Sequence, residues 1–319
     1  MPSSSAQSGE RDTEARATKV MDHPPLGKIG FIGLGRMGAV MAANLAAAGH
    51  LVNAYVRTPD RLKELQALGV APSLNLPDLF DCEIIISILP DDNAVRAAFF
   101  GSQDTTGLAD HLAPGTIHLS MSTISTAASA EFTHQHQRRG QGYVAAPVFG
   151  NPDAARARQL FVVLAGASIH AERCRPLTDV LGRTIVVGTD PTQANLIKLL
   201  GNMMTATSLE VLAELTTVLR KRGHDPQSFV DVMTSTMFDG RVHRTYGSKI
   251  VNGNYAPGFV MPLALKDVRL ALAEAEKAGV SLPSVGVVHD RLIAGIARGH
   301  EQLDWTALGL VASEDAGIG

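Results

Sequence analysis

The chain has 319 residues, 45% of them hydrophobic, and a formal charge of −3. That length and apolar content suffice for a large core shared between two domains, and the slightly acidic balance offers no basic field for nucleic acid. The two cysteines, Cys82 and Cys174, lie far apart with no C-x-x-C or metal-type spacing, so they read as small buried thiols rather than a disulfide or a metal site.

Met1 to about Leu26 is rich in Ser, Glu, Arg and Pro and nearly devoid of apolar residues. Such a segment cannot bury enough surface to offset its ordering entropy, and a disordered extension over 1–26 is expected. It has no apolar h-region, and Glu10, Asp12 and Glu14 argue against a transit peptide, so a cytoplasmic location is expected. No uncharged apolar run of about 18 residues occurs, and no membrane span is expected.

The organising stretch is Lys28 to Gly38. A short apolar run, Ile29, Phe31 and Ile32, reads as a buried strand, and Gly33, Gly35 and Gly38 then give G-x-G-x-x-G spacing before an alanine-rich helix through Ala39 to Gly49. In such a turn Gly33 permits the bend, Gly35 lets the backbone approach a pyrophosphate, and Gly38 lets helix pack closely on strand. The helix N-terminus then presents free N–H groups and the positive end of its dipole, so a dinucleotide site is expected.

From there strands and helices alternate, which predicts an α/β fold with a doubly wound parallel sheet. Strands are expected at Leu51 to Val56, Ile84 to Leu89, Thr116 to Ser120, Tyr143 to Ala146, Phe161 to Ala165 and Thr184 to Val187, with a helix over Asp60 to Leu68. His134 and His136 lack carboxylate or thiolate partners at ligand spacing, so no metal is expected and both read as surface residues. The end of the second strand bears on the cofactor. An NAD site places an acidic residue about 20 positions after the glycine turn to bind the ribose 2′-hydroxyl. Here Arg57 and Thr58 stand in that place, and a guanidinium fork suits a 2′-phosphate, so NADPH is preferred; the other reading is an ordinary solvated loop arginine. Asp60 keeps NAD admissible.

After about residue 190 the character changes. Thr192 to Arg220 reads as one long helix, apolar on more than one face, with Lys198, Glu210 and Glu214 as its charges before a basic end. A helix of that kind is covered on several sides, which predicts a spine between a dinucleotide-binding domain at 27–190 and an all-helical domain at 191–319, packed against a partner subunit. Phe229 to Met237, Val242 to Val251, Met261 to Lys277 and Ser284 to Arg298 carry helical spacing. Within the long helix Lys198 and Asn202 are four apart and share one face. A lysine in an apolar cleft has its ammonium disfavoured and can exchange a proton near neutral pH, while the asparagine would orient a hydroxyl or carbonyl. The same spacing also fits a lysine that runs along the helix to solvent.

Gly33 to Leu45, Ser122-Thr123-Ile124-Ser125, Pro147-Val148-Phe149-Gly150, Lys198 to Asn202 and Leu265-Lys266-Asp267 occur in this order. Together they resemble the β-hydroxyacid dehydrogenase family, which includes 3-hydroxyisobutyrate dehydrogenases and glyoxylate and tartronate-semialdehyde reductases. The resemblance implies cofactor contacts at Gly33, Leu34, Gly35, Arg36, Met37, Gly38, Leu89, Pro90 and Thr123. It implies catalytic or substrate roles for Ser122, Lys198 and Asn202, and a closing role for Lys266. It further implies hydride transfer to or from a small-molecule substrate in a homodimer or homotetramer. One block departs from the family's Asp-Ala-Pro-Val-Ser-Gly-Gly: Ala145 replaces its aspartate, and Phe149 stands where a serine seats the substrate carboxylate. Backbone N–H groups at Gly150 and Asn151 can still hold an anion. Phe149 either caps the pocket, favouring a larger or less polar substrate, or turns into the interdomain core. An imine reductase of the same superfamily is the alternative function, against which Lys198 counts, and a non-catalytic NADPH-binding module is the third.

Overall fold

The structure, a computed structural model, describes residues 26–101 and 105–318. The extension expected over 1–26 lies outside the described residues except for Leu26. Strand β1 (Ile29–Ile32) leads through the glycine turn into helix α1 (Arg36–Ala47), followed by β2 (Val52–Tyr55), α2 (Leu62–Ala67), β3 (Ala71–Ser73), β4 (Ile84–Ser87) and α3 (Asp92–Phe100). Then come β5 (Ile117–Ser120), α4 (Thr126–Gln137), β6 (Gly142–Ala145), β7 (Val148–Phe149), α5 (Pro152–Arg156), β8 (Leu160–Gly166), α6 (Ser168–Leu181) and β9 (Gly182–Gly188). The strand order is β3-β2-β1-β4-β5-β6-β8-β7, with β9 paired to β8. Pairing is parallel from β3 across to β6 and again between β8 and β9, whereas β8 runs antiparallel to β6 and β7.

Alternation along the strands builds a core on each face. Ile84 and Ile86 of β4 point into one cluster with Phe31 and Met41, while Ile85 points into the other with Phe99 and Phe132. Both faces are covered, as a parallel sheet requires. Two strands were not expected: β3 contains Pro72, which an edge strand tolerates but which breaks the strand pattern, and β7 is only two residues long. The order reverses between β1 and β4, so their C-terminal ends open the crevice in which doubly wound folds hold ligands.

His136 corrects the expectation of a surface residue. His134 is exposed, but His136 is fully buried and forms part of a hydrogen-bonded row: Ser87 Oγ to His118 Nε2 at 2.7 Å, His118 Nδ1 to His136 Nε2 at 2.9 Å, and His136 Nδ1 to Gln141 Oε1 at 2.8 Å. Gln141 Nε2 donates to the carbonyls of Ala109 and Leu112, which leaves its Oε1 as acceptor. His136 must then donate from Nδ1 and His118 from Nδ1, with Ser87 donating to His118, so both rings are neutral and every member is satisfied. Burial lowers both imidazoles, His136 to about 4.

The second half is helical: α7 (Pro191–Lys221), α8 (Pro226–Ser235), α9 (Arg241–Val251), α10 (Met261–Lys277), α11 (Pro283–Ala297) and α12 (Leu308–Asp315). Helix α7 begins at Asp190, whose carboxylate accepts from Thr192 N, with Pro191 in the first turn. It packs against α4 and β8 of the sheet on one side and against α9, α10, α11 and α12 on others. Among the described residues it is the one helix long and apolar enough to cross a membrane, and half of its most apolar window is buried within the fold. Its buried face carries Lys198, Asn202 and Glu210, the last paired with Arg291 at 2.9 Å. Another stripe stays uncovered: Leu200, Met204 (75% exposed), Val211, Leu215 and Val218.

Candidate active site

The glycine turn accounts for its own composition. Gly33 sits at φ +94°, and a Cβ there would lie 2.2 Å from the Ile88 carbonyl oxygen; one on Gly38 would lie 2.0 Å from the Gly33 carbonyl oxygen. Neither position admits a side chain. A Cβ on Gly35 would meet nothing within 4 Å, so there the backbone is bare toward the crevice. Gly35 is also the N-cap of α1 and supplies no side-chain hydrogen bond, leaving the first N–H groups of the helix free. A bare, uncapped helix start beside the switch point fits a pyrophosphate.

A cavity of about 750 Å³ runs from this turn to the helical domain, with Gly35, Leu89, Thr123, Phe149 and Lys198 among its walls. Arg36, Met37, Pro90, Gly150, Asn151, Asn202 and Lys266 also line it. Leu34 is buried beneath the turn, and Arg57 and Thr58 lie exposed at the end of β2, outside the cavity wall. Asn151 accepts from Ala154 N at 2.9 Å and so caps α5. Ser122 is buried and is not part of the wall; its hydroxyl accepts from Leu89 N at 2.8 Å, fixing the loop that carries Leu89 and Pro90.

Lys198 and Asn202 meet as their spacing requires. Lys198 Nζ donates to Asn202 Oδ1 at 2.8 Å, and Asn202 Nδ2 donates to Asp267 Oδ2 at 2.6 Å, so the asparagine amide is oriented by a donor on one side and an acceptor on the other. Lys266 Nζ lies 3.0 Å from Asp267 Oδ1 and donates at 2.5 Å to the Thr123 carbonyl. One polar row thus joins Lys198 to the sheet domain. Lys198 is 8% exposed, and burial lowers its pKa to about 8; Asp267 opposes the shift and Lys266 adds to it. Departing from the ordinary 10.5, this costs the ammonium about 3 kcal/mol relative to water. The wall therefore presents an amine that exchanges a proton within about a unit of neutrality.

The Phe149 ring lies 4.3 Å from Lys198 Nζ and lines the cavity, which makes it a cap over the amine. Gly201 makes room for it, since a Cβ there would lie 2.4 Å from Phe149 Cζ. An aromatic face stabilises a cation while keeping water from it.

Four residues here escaped the sequence reading. Asp267 had a signal, lying beside Lys266 in the same block. Arg61, whose guanidinium donates to the Leu34 carbonyl and pairs with Glu64, braces the glycine turn from 27 residues away, and nothing in its local sequence indicates this. Arg241 and Lys249 reach the cavity from α9.

Comparison with known proteins agrees with this architecture. Residues 28–188 match the family model described as the NAD binding domain of 6-phosphogluconate dehydrogenase. Residues 192–311 match the one described as NAD-binding of NADP-dependent 3-hydroxyisobutyrate dehydrogenase. The chain is 36% identical over 285 residues to an uncharacterized oxidoreductase of Bacillus subtilis (strain 168), covering 88% of this chain and 98% of that one. It is 30% identical over 283 residues to 2-hydroxy-3-oxopropionate reductase of Escherichia coli (strain K12), covering 88% and 95%. Among solved structures, Mycobacterium tuberculosis 3-hydroxyisobutyrate dehydrogenase with L-serine superposes with a TM-score of 0.78 at 27% identity, covering 89% of this chain and 98% of that one.

Proposed function

The chain belongs to the β-hydroxyacid dehydrogenase family and is an NAD(P)-dependent oxidoreductase of CH–OH groups; from that premise we propose that it interconverts a small hydroxy acid and the matching aldehyde acid, preferring NADP(H), with Lys198 as general acid and base. The observation that carries this reading is the buried amine of Lys198, held by Asn202 and facing a cavity continuous with the glycine turn. The bound nicotinamide would supply or accept the hydride. In reduction Lys198, as ammonium, donates its proton to the carbonyl oxygen; in oxidation the neutral amine accepts one from the hydroxyl. Asn202 and Asp267 position the amine. Ser122 holds the Leu89–Pro90 loop in place against the cofactor site, and Lys266 ties the helical domain to the Thr123 carbonyl across it. Phe149 excludes water above the amine.

The preference for NADP(H) rests on Arg57, exposed at the end of β2 where an NAD site has a carboxylate. The uncovered stripe of α7 supports assembly into a homodimer or homotetramer, because so long a row of apolar side chains marks an association surface. Lys198 weighs against the imine reductase reading.

The test is NADPH oxidation followed by absorbance across aldehyde acids, apolar aldehydes and cyclic imines, with Lys198→Ala in parallel. Turnover of an aldehyde acid that collapses in the variant is the expected result. Turnover of imines only, or activity indifferent to Lys198, overturns it.

A further inference from the structure

Helix α9 forms part of the cavity wall, and the loop that follows it meets the glycine turn where Arg36 donates to the Pro257 carbonyl. Arg241, Thr245 and Lys249 follow one another at four-residue spacing, so they form a single stripe, and all three line the cavity. Arg241 and Thr245 are exposed, and Lys249 is partly buried. Arg241 has no hydrogen bond or ion pair among the described residues. Lys249 Nζ pairs with the Asp304 carboxylate at 3.8 Å, an ionic contact without a hydrogen bond. Asp304 is itself occupied: Oδ2 accepts from Gly258 N at 3.0 Å and Phe259 N at 2.9 Å, and Oδ1 accepts from Thr306 Oγ1 at 2.7 Å. The other carboxylate of the wall, Asp267, is committed to Asn202 and Lys266. This wall of the cavity therefore carries two cations and a hydroxyl against one carboxylate, that of Asp304, beside the aromatic side chains of Tyr246, Phe259 and Trp305.

We propose that Arg241, Thr245 and Lys249 form the seat for a substrate carboxylate, so that the preferred substrates are oxo acids whose acid group is separated from the carbonyl by an apolar spacer. Phe149 offers no donor to an acid group, and α9 supplies charge on the wall of the same cavity. An arginine fork and an ammonium with a hydroxyl between them match the oxygens of a carboxylate, and the aromatic wall suits the methylenes that follow it. This assignment rests on Lys198 being the group that meets the carbonyl.

Trp305 is the one tryptophan of the chain and lines the same cavity, so its fluorescence reports occupancy without turnover. The full-length protein, saturated with NADPH, is titrated with glutarate, which has the two acid groups but nothing to reduce, and with glutaramide. Arg241→Gln and Lys249→Met are treated in the same way. The expected result is saturable quenching by glutarate, weakened about tenfold or more in each variant, and little response to glutaramide. In turnover, kcat/KM for succinic semialdehyde falls further than kcat/KM for butanal in both variants, and the loss lies in KM. Glutarate that quenches both variants as it does the natural protein, or not at all, overturns the assignment. So does weakened NADPH affinity with glutarate binding intact, which would give these cations to the cofactor's phosphates. Glutarate binding that needs both residues in a protein that reduces no carbonyl would leave this seat standing and defeat the proposed reaction; reduction of aldehyde acids with glutarate binding indifferent to α9 would do the reverse.

Discussion

With Lys198 as the proposed general acid and base, its lowered pKa predicts that the two directions of the reaction respond oppositely to pH. With that pKa at about 8, roughly nine-tenths of the amine is protonated at pH 7 and roughly one-tenth at pH 9. On that proposal reduction needs the ammonium, so kcat should be flat at low pH and fall tenfold per unit above about 8, whereas oxidation needs the amine and should rise tenfold per unit until about the same point. Asp267 raises this pKa and Lys266 lowers it, and Asp267 also partners Lys266 at 3.0 Å. Asp267→Asn removes the stabilising charge and leaves the Lys266 ammonium uncompensated, so both effects push Lys198 lower. The reductive limb of the Asp267→Asn profile then moves to lower pH, and the oxidative limb moves with it. The assay is single-turnover NADPH oxidation and NADP reduction from pH 5.5 to 10, with Lys198→Met as the baseline, expected to be about 100- to 10,000-fold slower in both directions. Limbs of the same sign in both directions, or limbs unmoved by Asp267→Asn, refute the assignment of the proton to Lys198.

The fit of Phe149 over Gly201 predicts that Gly201→Ala destabilises by about 1–3 kcal/mol through overpacking, and that Phe149→Ala removes most of that penalty; additive losses in urea melts would show that the two do not share the space. Arg57→Asp should weaken NADPH more than NADH in direct titrations, whereas equal losses would make Arg57 an ordinary loop residue. Glutamates at Met204 and Val211 should shift the assembly toward monomer in light scattering; an unchanged mass would place the interface elsewhere. His136 is held to about 4 against 6.5 in an unfolded chain, so the unfolded state binds its proton first and stability is lost as pH falls from 6.5 to 4, by about 3 kcal/mol from this group. A urea midpoint constant across that window would mean that the ring is not buried neutral.

What the chain could reveal alone was whatever depends on neighbours in sequence. The strand, glycine turn and helix from Ile29 to Ala47 were legible because strand alternation, helix propensity and the demands on Gly33 and Gly38 are local. The facing of Lys198 and Asn202 was legible for the same reason, since four residues is one turn of α7. Sequence also showed that α7 needed cover on several sides, though not what would cover it. The rest of the site consists of contacts between residues far apart in the chain: Asn202 with Asp267 across 65 positions, and Lys266 with the Thr123 carbonyl across 143. Periodicity tells which residues share a face, but not which face meets which partner. Phe149 had two open destinations until the backbone at Gly201 admitted its ring above Lys198, and His136 read as a surface residue because its polar partners, His118 and Gln141, converge on it only when β5, α4 and β6 pack together. The lowered pKa of Lys198 belongs to this second class, because burial comes from every element that closes around the amine and no single segment carries it.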